Sequence, residues 1–170
     1  MDASINSSDK SGVGFWKHAL ILAVLLSFSG LLLGGFAVYR NQAPIPTKVV
    51  DETGRRLTTS DAITGGKAVY HKYNLMNYGS VLGHGAYLGP DYTAEALHVV
   101  TLAMRDYYAK VRFKADFAAL SSEQQAAIAE TVRSELKTNR YNASAGTLTL
   151  SQAQAYGWEQ ARLHFRDLFT

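Results

Sequence analysis

The sequence predicts a mainly α protein, in which one N-terminal transmembrane helix precedes a helical domain. Three observations support this fold class. An uncharged apolar run occupies residues 18–39. Apolar residues recur at steps of three and four over residues 93–114, which is the period of an amphipathic helix. Two Ser-x-x-Gln patterns, beginning at Ser122 and Ser151, are typical of helix N-termini.

The apolar run is long enough to be a membrane anchor. Residues 18–39 contain no Asp, Glu, Lys or Arg, and a hydrocarbon core about 30 Å thick needs about 20 apolar helical residues. Trp16 and Tyr39 flank the run as interfacial aromatics do. A signal peptide is the alternative, but its apolar region has only about 7–15 residues. We therefore expect a tail over residues 1–16 and an uncleaved transmembrane helix over residues 17–39.

Charge alone leaves the orientation of this helix open. Two basic residues precede it and four follow it: Lys10 and Lys17, then Arg40, Lys48, Arg55 and Arg56. This distribution leans slightly against a cytoplasmic amino terminus, although domains of this length are translocated largely regardless of their charge.

A linker over residues 40–59 is expected to lead into a domain over residues 60–170. The linker begins with the Pro-bearing segment NQAPIP, which cannot continue the helix, and contains a short extended piece at Lys48–Asp51. A first soluble helix is expected over residues 60–73. The Gly- and Tyr-rich segment 74–91 is expected to be an ordered loop.

Three further helices are predicted after that loop. The helix over residues 93–114 carries one apolar stripe, formed by Leu97, Val100, Met104, Tyr107, Tyr108 and Val111. A capping box at Ser122 and Gln125 begins an Ala-rich helix that ends near Thr138. Residues 147–150 form a short strand or an extended lead-in. Ser151 and Gln154 then cap a last helix with one apolar side, formed by Trp158, Ala161, Phe165, Leu168 and Phe169.

Composition excludes several classes of site. The 170 residues include no Cys, so disulfides, thiolate zinc sites, iron–sulfur clusters and thioether-attached haem are excluded. The net charge is +3 with scattered Lys and Arg, so a nucleic-acid partner is not expected. The five His residues lack any metal-binding spacing. Asp91 is expected to cap the helix that follows Pro90. Residue spacing alone therefore yields no active site.

Tyrosines are concentrated between residues 70 and 92. The five are Tyr70, Tyr73, Tyr78, Tyr87 and Tyr92. One interpretation is a core filled with large amphipathic rings, whose hydroxyls bond to the glycine-rich backbone. The alternative is a redox or quinone-contacting cluster. We favour the core.

A family resemblance is carried by the run GGKAVYHKYNLMNYGSVLGHGAYLGPDYTAEALH, residues 65–98. This run closely resembles the amino-terminal part of the large chain of bacterial quinol-dependent nitric oxide reductases, and the resemblance extends over essentially the whole sequence. In those enzymes a membrane anchor and a periplasmic cytochrome-c-like domain precede a large catalytic transmembrane bundle. The resemblance implies a cytochrome-c-like helical domain without haem, over residues 60–170.

The same segment looks like the cytochrome c subunit of the cytochrome-c-dependent reductases, with one departure. Gly66 and Tyr70 match the glycine and aromatic of its first helix, where small residues permit a close helix crossing. Leu82–Tyr87 match its L-L-G-x-G-A-Y motif. At the haem-attachment positions, however, Leu75 and Tyr78 replace the two Cys and Gly79 replaces the ligating His. We expect bulky residues such as Leu75, Met76 and Tyr78 to fill the space left by the haem.

The resemblance also implies topology, cofactors and partners. The amino terminus would be cytoplasmic, with a single pass through the inner membrane and the C-terminal domain in the periplasm. Backbone oxygens of Gly85 and Tyr87 would be calcium ligands at the interface with the catalytic subunit. Haem b and a non-haem iron are expected only in the catalytic portion, which reduces two NO to N₂O and water.

Two functions remain open from the sequence. The first is a non-catalytic structural and docking module that contacts the lipid bilayer and the catalytic transmembrane bundle. The second is a free-standing membrane-anchored binding or sensor domain on a haemless cytochrome-c scaffold. With one predicted membrane helix, these 170 residues cannot house the catalytic metals. We therefore expect either a separately encoded or truncated piece of the reductase, or a fragment.

Overall fold

The computed structural model describes residues 9–86 and 88–169. The chain divides into two compact units, Met1–Pro44 and Ile45–Thr170.

The first unit contains the helix Asp9–Arg40 (α1). Its segment Gly14–Arg40 has 27 residues and a mean hydropathy of 2.3, and at a rise of 1.5 Å per residue it extends about 40 Å. This segment is long and apolar enough to cross a membrane, and none of it is buried within the described chain. The Ser27 hydroxyl donates to the Ala23 carbonyl at 2.8 Å, so that polar group is satisfied within the helix. The expected helix over residues 17–39 is confirmed, with extensions at both ends.

The second unit contains six short strands and four α-helices in its described part. The strands are, in chain order, Lys48–Asp51 (β1), Arg56–Thr59 (β2), Ser80–Val81 (β3), His84–Gly85 (β4), Tyr141–Asn142 (β5) and Thr147–Leu150 (β6). The helices are Ser60–Lys72 (α2), Tyr92–Phe113 (α3), Ser122–Lys137 (α4) and Gln152–Leu168 (α5). The prediction of a mainly α fold is confirmed.

A four-stranded sheet with the order β2-β1-β6-β5 joins the two ends of this unit. β1 is parallel to β6 and antiparallel to β2, and Val49 and Asp51 of β1 are both only 4% exposed. The linker expected over residues 40–59 is therefore shorter than predicted, because residues 48–51 and 56–59 are strands of the folded unit. The folded unit begins at Ile45 instead of residue 60.

Side-chain caps fix where the helices begin. The Asp91 carboxylate accepts from the Ala94 backbone N–H at 2.9 Å, which confirms Asp91 as the cap of α3. A reciprocal capping box at Ser151 and Gln154 begins α5, as predicted. The box that begins α4 lies at Ser121 and Gln124, one residue before the predicted pair. The sequence LSSEQQ contains two overlapping Ser-x-x-Gln patterns, and spacing alone does not distinguish them.

The core lies where α3, α4 and α5 meet. Its fully packed members are Met104, Ala109, Ile128, Val132 and Ala153. Small residues form the buried side of α5: Ala153, Ala155, Gly157 and Ala161. A Cβ added at Gly157 would lie 2.9 Å from Val100 Cγ1, so the glycine permits the close approach of α5 to α3. The predicted apolar side of α5 is wrong at its end, since Leu168 and Phe169 are exposed.

Candidate functional site

The segment that matches the haem-attachment motif forms a tight turn between α2 and α3. Leu75–Asn77 is one turn of 3₁₀ helix. Tyr78 is 68% exposed, whereas Gly79 is buried. The neighbouring Ser80 N–H donates to the Pro90 carbonyl at 2.9 Å, so the two ends of the glycine-rich loop are held together.

Gly79 lies in a space that admits no side chain. A Cβ added there would be 2.6 Å from the Pro90 carbonyl oxygen and 2.7 Å from two ring atoms of Tyr92. Real Cβ atoms essentially never approach so closely, and one of these neighbours is backbone that cannot rotate away. An imidazole at this position would require the loop to move. The residues present at this segment therefore do not fit a c-type haem, for which the sequence also offers no Cys.

The Asp91 carboxylate holds the glycine-rich loop against the start of α3. It accepts from the Ser80 hydroxyl at 2.7 Å, from the Gly83 backbone N–H at 2.7 Å and from the Ala94 backbone N–H at 2.9 Å. The Ser80 hydroxyl, followed by these backbone donors, lowers the pKa of Asp91 to about 2. The capping role was predicted, but the bonds to Ser80 and Gly83 were not, since they span 11 and 8 residues of sequence.

A second carboxylate, that of Asp51, organises the turn between β1 and β2. It accepts from the Thr53 hydroxyl, from the Thr53 and Arg55 backbone N–H groups, and from Arg55 Nε at 3.0 Å. The Thr53 hydroxyl is the largest cause that lowers the pKa of Asp51 to about 2, with burial opposing it and Arg55 assisting it.

These two depressed pKa values predict how stability depends on pH. Each folded pKa of about 2 lies below the ordinary value of 3.8, so the stabilisation is complete above pH 3.8 and is lost as pH falls through about 2. We expect the unfolding temperature of the chain in detergent, followed by circular dichroism, to fall between pH 4 and pH 2 by more than in an Asp51→Asn/Asp91→Asn variant. Asn still caps a helix but does not titrate. Equal losses in both proteins would contradict this assignment.

An open apolar groove of about 680 Å³ lies between α2 and the β3–β4 hairpin. Its apolar lining residues are Ile63, Gly66, Tyr70, Met76, Val81 and Leu82. Its polar lining residues are Lys67, His71 and His84. The Tyr70 hydroxyl donates to the Gly79 carbonyl at 3.0 Å and thereby ties α2 to the loop. No carboxylate is among the described residues that line the groove.

The segment that follows β2, from α2 through the glycine-rich loop, carries several exposed apolar side chains. All thirteen residues of α2 are described and none of them is buried. Val69 on α2 and Tyr73 directly after it are exposed, as are Tyr78, Leu82 and Leu88 on the loop. We call the groove and these five side chains the α2 surface.

The tyrosine-filled core expected here is mostly wrong. Tyr70 does donate its hydroxyl to the glycine-rich backbone, as expected, and Tyr92 packs edge-on against the ring of Phe165. Tyr73 and Tyr78, however, are 62% and 68% exposed. Instead of filling a core, they extend the α2 surface. Tyr87 lies outside the described residues.

The close helix crossing expected at Gly66 is also wrong. No described atom lies within 4 Å of a Cβ built at Gly66, so α2 leaves this glycine open. Residues of α2 pack instead against β2 and the 3₁₀ turn. The crossing that uses a glycine is the one between α3 and α5, at Gly157.

The calcium ligands expected from the resemblance stay a prediction. Gly85 lies on β4 and pairs with Ser80, and its φ of +144° is one that glycine adopts readily. Tyr87 lies outside the described residues. Within the described ranges, no cluster of three or more His, Asp or Glu side chains could hold a metal ion.

The histidines are dispersed over the described chain. His71 and His84 line the groove. His164 Nε2 lies 2.6 Å from Glu95 Oε1 and links α5 to α3. His98 is exposed on α3.

Comparison with known proteins identifies the second unit. Residues 46–170 match the family model of the NorB cytochrome c-like domain, which is a domain of nitric oxide reductase. A search of curated proteins found no match. The matched range begins next to the start of the second compact unit, at Ile45, and covers the sheet, α2 to α5 and the glycine-rich loop. The chain belongs to the NorB family of nitric oxide reductase proteins, by its cytochrome c-like domain.

Proposed function

We propose that this chain is the amino-terminal structural and docking module of a quinol-dependent nitric oxide reductase. α1 anchors it in the bacterial inner membrane, and the second unit lies in the periplasm against the catalytic transmembrane bundle. The family match over residues 46–170 supports a place within the reductase. The apolar character of α1 supports the anchor.

The docking role is supported most strongly by the lack of fully buried residues in α2. Isolated helices shorter than about 12–15 residues are marginal in water, and most helical stability in proteins comes from packing an apolar face. α2 has thirteen residues, contains Gly65 and Gly66, and has no fully buried residue, since even Ile63 and Tyr70 are only half-buried. A partner that covers its apolar face would supply the missing packing.

The exposed apolar side chains of α2 and the loop also support docking. Contiguous apolar patches on soluble proteins mark interaction sites, and burial of apolar surface contributes about 25 cal/mol per Å². The α2 surface combines an open groove with exposed rings and aliphatic side chains, among them Tyr78 and Leu82. A free-standing sensor domain would be expected to enclose its pocket and cover these side chains, so this surface favours docking.

In this proposal the chain does not transfer electrons through a c-type haem. Thioether attachment needs Cys, which the sequence lacks, and the space at Gly79 admits no ligating side chain. Reduction of two NO with two electrons and two protons, giving N₂O and water, then belongs to the haem b and non-haem iron of the catalytic portion. The chain contributes a packed cover on the periplasmic side of the bundle.

Separate expression of the two portions tests the docking role. The tagged 170-residue chain and the catalytic portion of the reductase would be produced from two genes in one bacterium and extracted in mild detergent. We expect the catalytic portion to be retained on the tag resin together with the chain. A chain that is folded by circular dichroism but retains none of the catalytic portion would contradict the proposal and favour a free-standing domain.

A further inference from the structure

Gly66 forms an open notch in the wall of the groove. It lines the groove together with Ile63 and Tyr70, which lie one turn away on the same face of α2. A Cβ built at Gly66 would meet no described atom within 4 Å. The notch is therefore not needed for packing among the described residues of the second unit, although a glycine inside a helix costs about 1 kcal/mol relative to alanine.

A small residue beside an apolar groove permits close approach of another helix. Glycines at helix interfaces let backbones come together, in membranes as in water. The Tyr70 hydroxyl is already bonded to the Gly79 carbonyl, so its ring forms a fixed wall beside the notch. The groove is thus concave, and its wall is fixed by the bond to the loop. Binding sites for protruding side chains are usually concave and pre-formed in this way.

The charged side chains that line the groove indicate which charges a partner segment bound there should carry. The described lining residues include no acidic side chain. Apart from Tyr70, the titratable ones are Lys67, His71 and His84. Asp61, the acidic residue in the first turn of α2, is not among the described lining residues. Complementary charge at an interface selects the partner and its register. An apolar segment flanked by carboxylates matches this arrangement.

We propose that the notch at Gly66 receives an apolar helix of the catalytic portion, whose flanking Asp or Glu side chains face Lys67 and the two groove histidines. This inference rests on the docking role proposed above and identifies its contact site. A concave receptor fits a protruding helix better than it fits a bilayer surface, which binds convex apolar side chains at the interface.

Two glycines of α2 provide a matched test. At both Gly65 and Gly66 an added Cβ would meet no described atom within 4 Å outside the backbone of its own helix, but of the two only Gly66 is among the described groove-lining residues. Leu at either position favours the helix, so both variants should fold. In the two-gene pull-down we expect Gly66→Leu to reduce retention of the catalytic portion about tenfold, equivalent to about 1.4 kcal/mol. Gly65→Leu should change it less than about twofold.

A charge reversal tests the partner's chemistry. Lys67→Glu should weaken retention of the catalytic portion. Added salt should weaken its retention by the wild-type chain, because salt screens the attraction between opposite charges. Lys137→Glu on α4, an exposed position outside the groove lining, is the control and should behave as wild type. Equal retention of the catalytic portion by Lys67→Glu and Lys137→Glu would contradict the proposal that the partner segment carries acidic side chains.

The outcomes separate this inference from the docking role itself. If the wild-type chain retains nothing, the docking role fails. If the wild-type chain and the Gly66→Leu variant retain equal amounts of the catalytic portion, docking occurs at another surface and the notch is excluded as the contact site. A bilayer occupant is tested with a dye on Leu82→Cys, a unique thiol in this Cys-free sequence. Quenching of that dye by lipid-borne quenchers in phosphatidylglycerol-containing vesicles, without the catalytic portion, would overturn the inference in favour of the membrane.

Discussion

Replacement of Gly79 by alanine should lower the free energy of unfolding of the second unit by about 1–3 kcal/mol, the usual effect of overpacking. The added methyl group would lie 2.6 Å from the Pro90 carbonyl oxygen and 2.7 Å from the Tyr92 ring. Relief would require separation of the loop ends, which the bond from the Ser80 N–H to the Pro90 carbonyl holds together. Urea unfolding followed by circular dichroism measures the change.

Gly66→Ala is the matched control for that substitution. It also adds one methyl group to a glycine of the segment 65–98 that carries the family resemblance, but no described atom outside the backbone of α2 lies within 4 Å of it. It should raise stability by up to about 1 kcal/mol, from helix propensity alone. If Gly79→Ala were as well tolerated as Gly66→Ala, the loop would have room for a side chain, and a haem ligand at this position would no longer be excluded by space.

Truncation of Met104 to alanine should have the largest effect on stability, about 2–5 kcal/mol, as in other large-to-small core substitutions. Met104 has no exposed surface and lies in the core with Ile128 of α4 and Ala153 of α5. The same unfolding experiment measures the change. A loss of this size would remove a large fraction of the total stability, since single domains are stable by only about 5–15 kcal/mol.

Met76→Ala is the control that separates the core from the α2 surface. Met76 lines the groove and is 37% exposed, so its truncation should change stability by less than about 1 kcal/mol, as is usual for surface positions. The docking proposal expects it to weaken retention of the catalytic portion instead. Equal destabilisation by the two Met variants would show that α2 and the loop belong to the core after all.

The helical part of this fold follows largely from local signals in the sequence. An uncharged run predicted α1, and Asp91 and Ser151 predicted the beginnings of α3 and α5. These signals are readable because a cap and its helix lie within three or four residues of one another. The family resemblance, carried by residues 65–98, is confirmed by the match over residues 46–170.

Features that depend on contacts distant in sequence were not predicted. β1 pairs in parallel with β6 about a hundred residues later, and four-residue strands are too short to show a clear alternation. The buried side of α5 consists of Ala and Gly, and of the residues predicted for that side Ala161 alone is among them, because large apolar residues were expected there. The bonds from Ser80 and Gly83 to Asp91 join residues that no local pattern connects.

The groove was missed for a related reason. Tyr73 and Tyr78 are large aromatic residues of the kind that often fill a core. Only the packing of α2 and the loop shows that they are exposed. Aromatic residues are frequent both in cores and at interfaces, so composition does not distinguish the two. The open space at Gly66 is a signal that only the three-dimensional structure provides.

The most direct test of the docking role is NO consumption with a quinol donor by three preparations from the two-gene system. The 170-residue chain alone should consume no NO, the catalytic portion alone should consume it poorly, and the two together should restore the rate. Turnover by the chain alone would show that it holds catalytic metals of its own. Full activity of the catalytic portion without the chain, and without association between them, would contradict the structural and docking role.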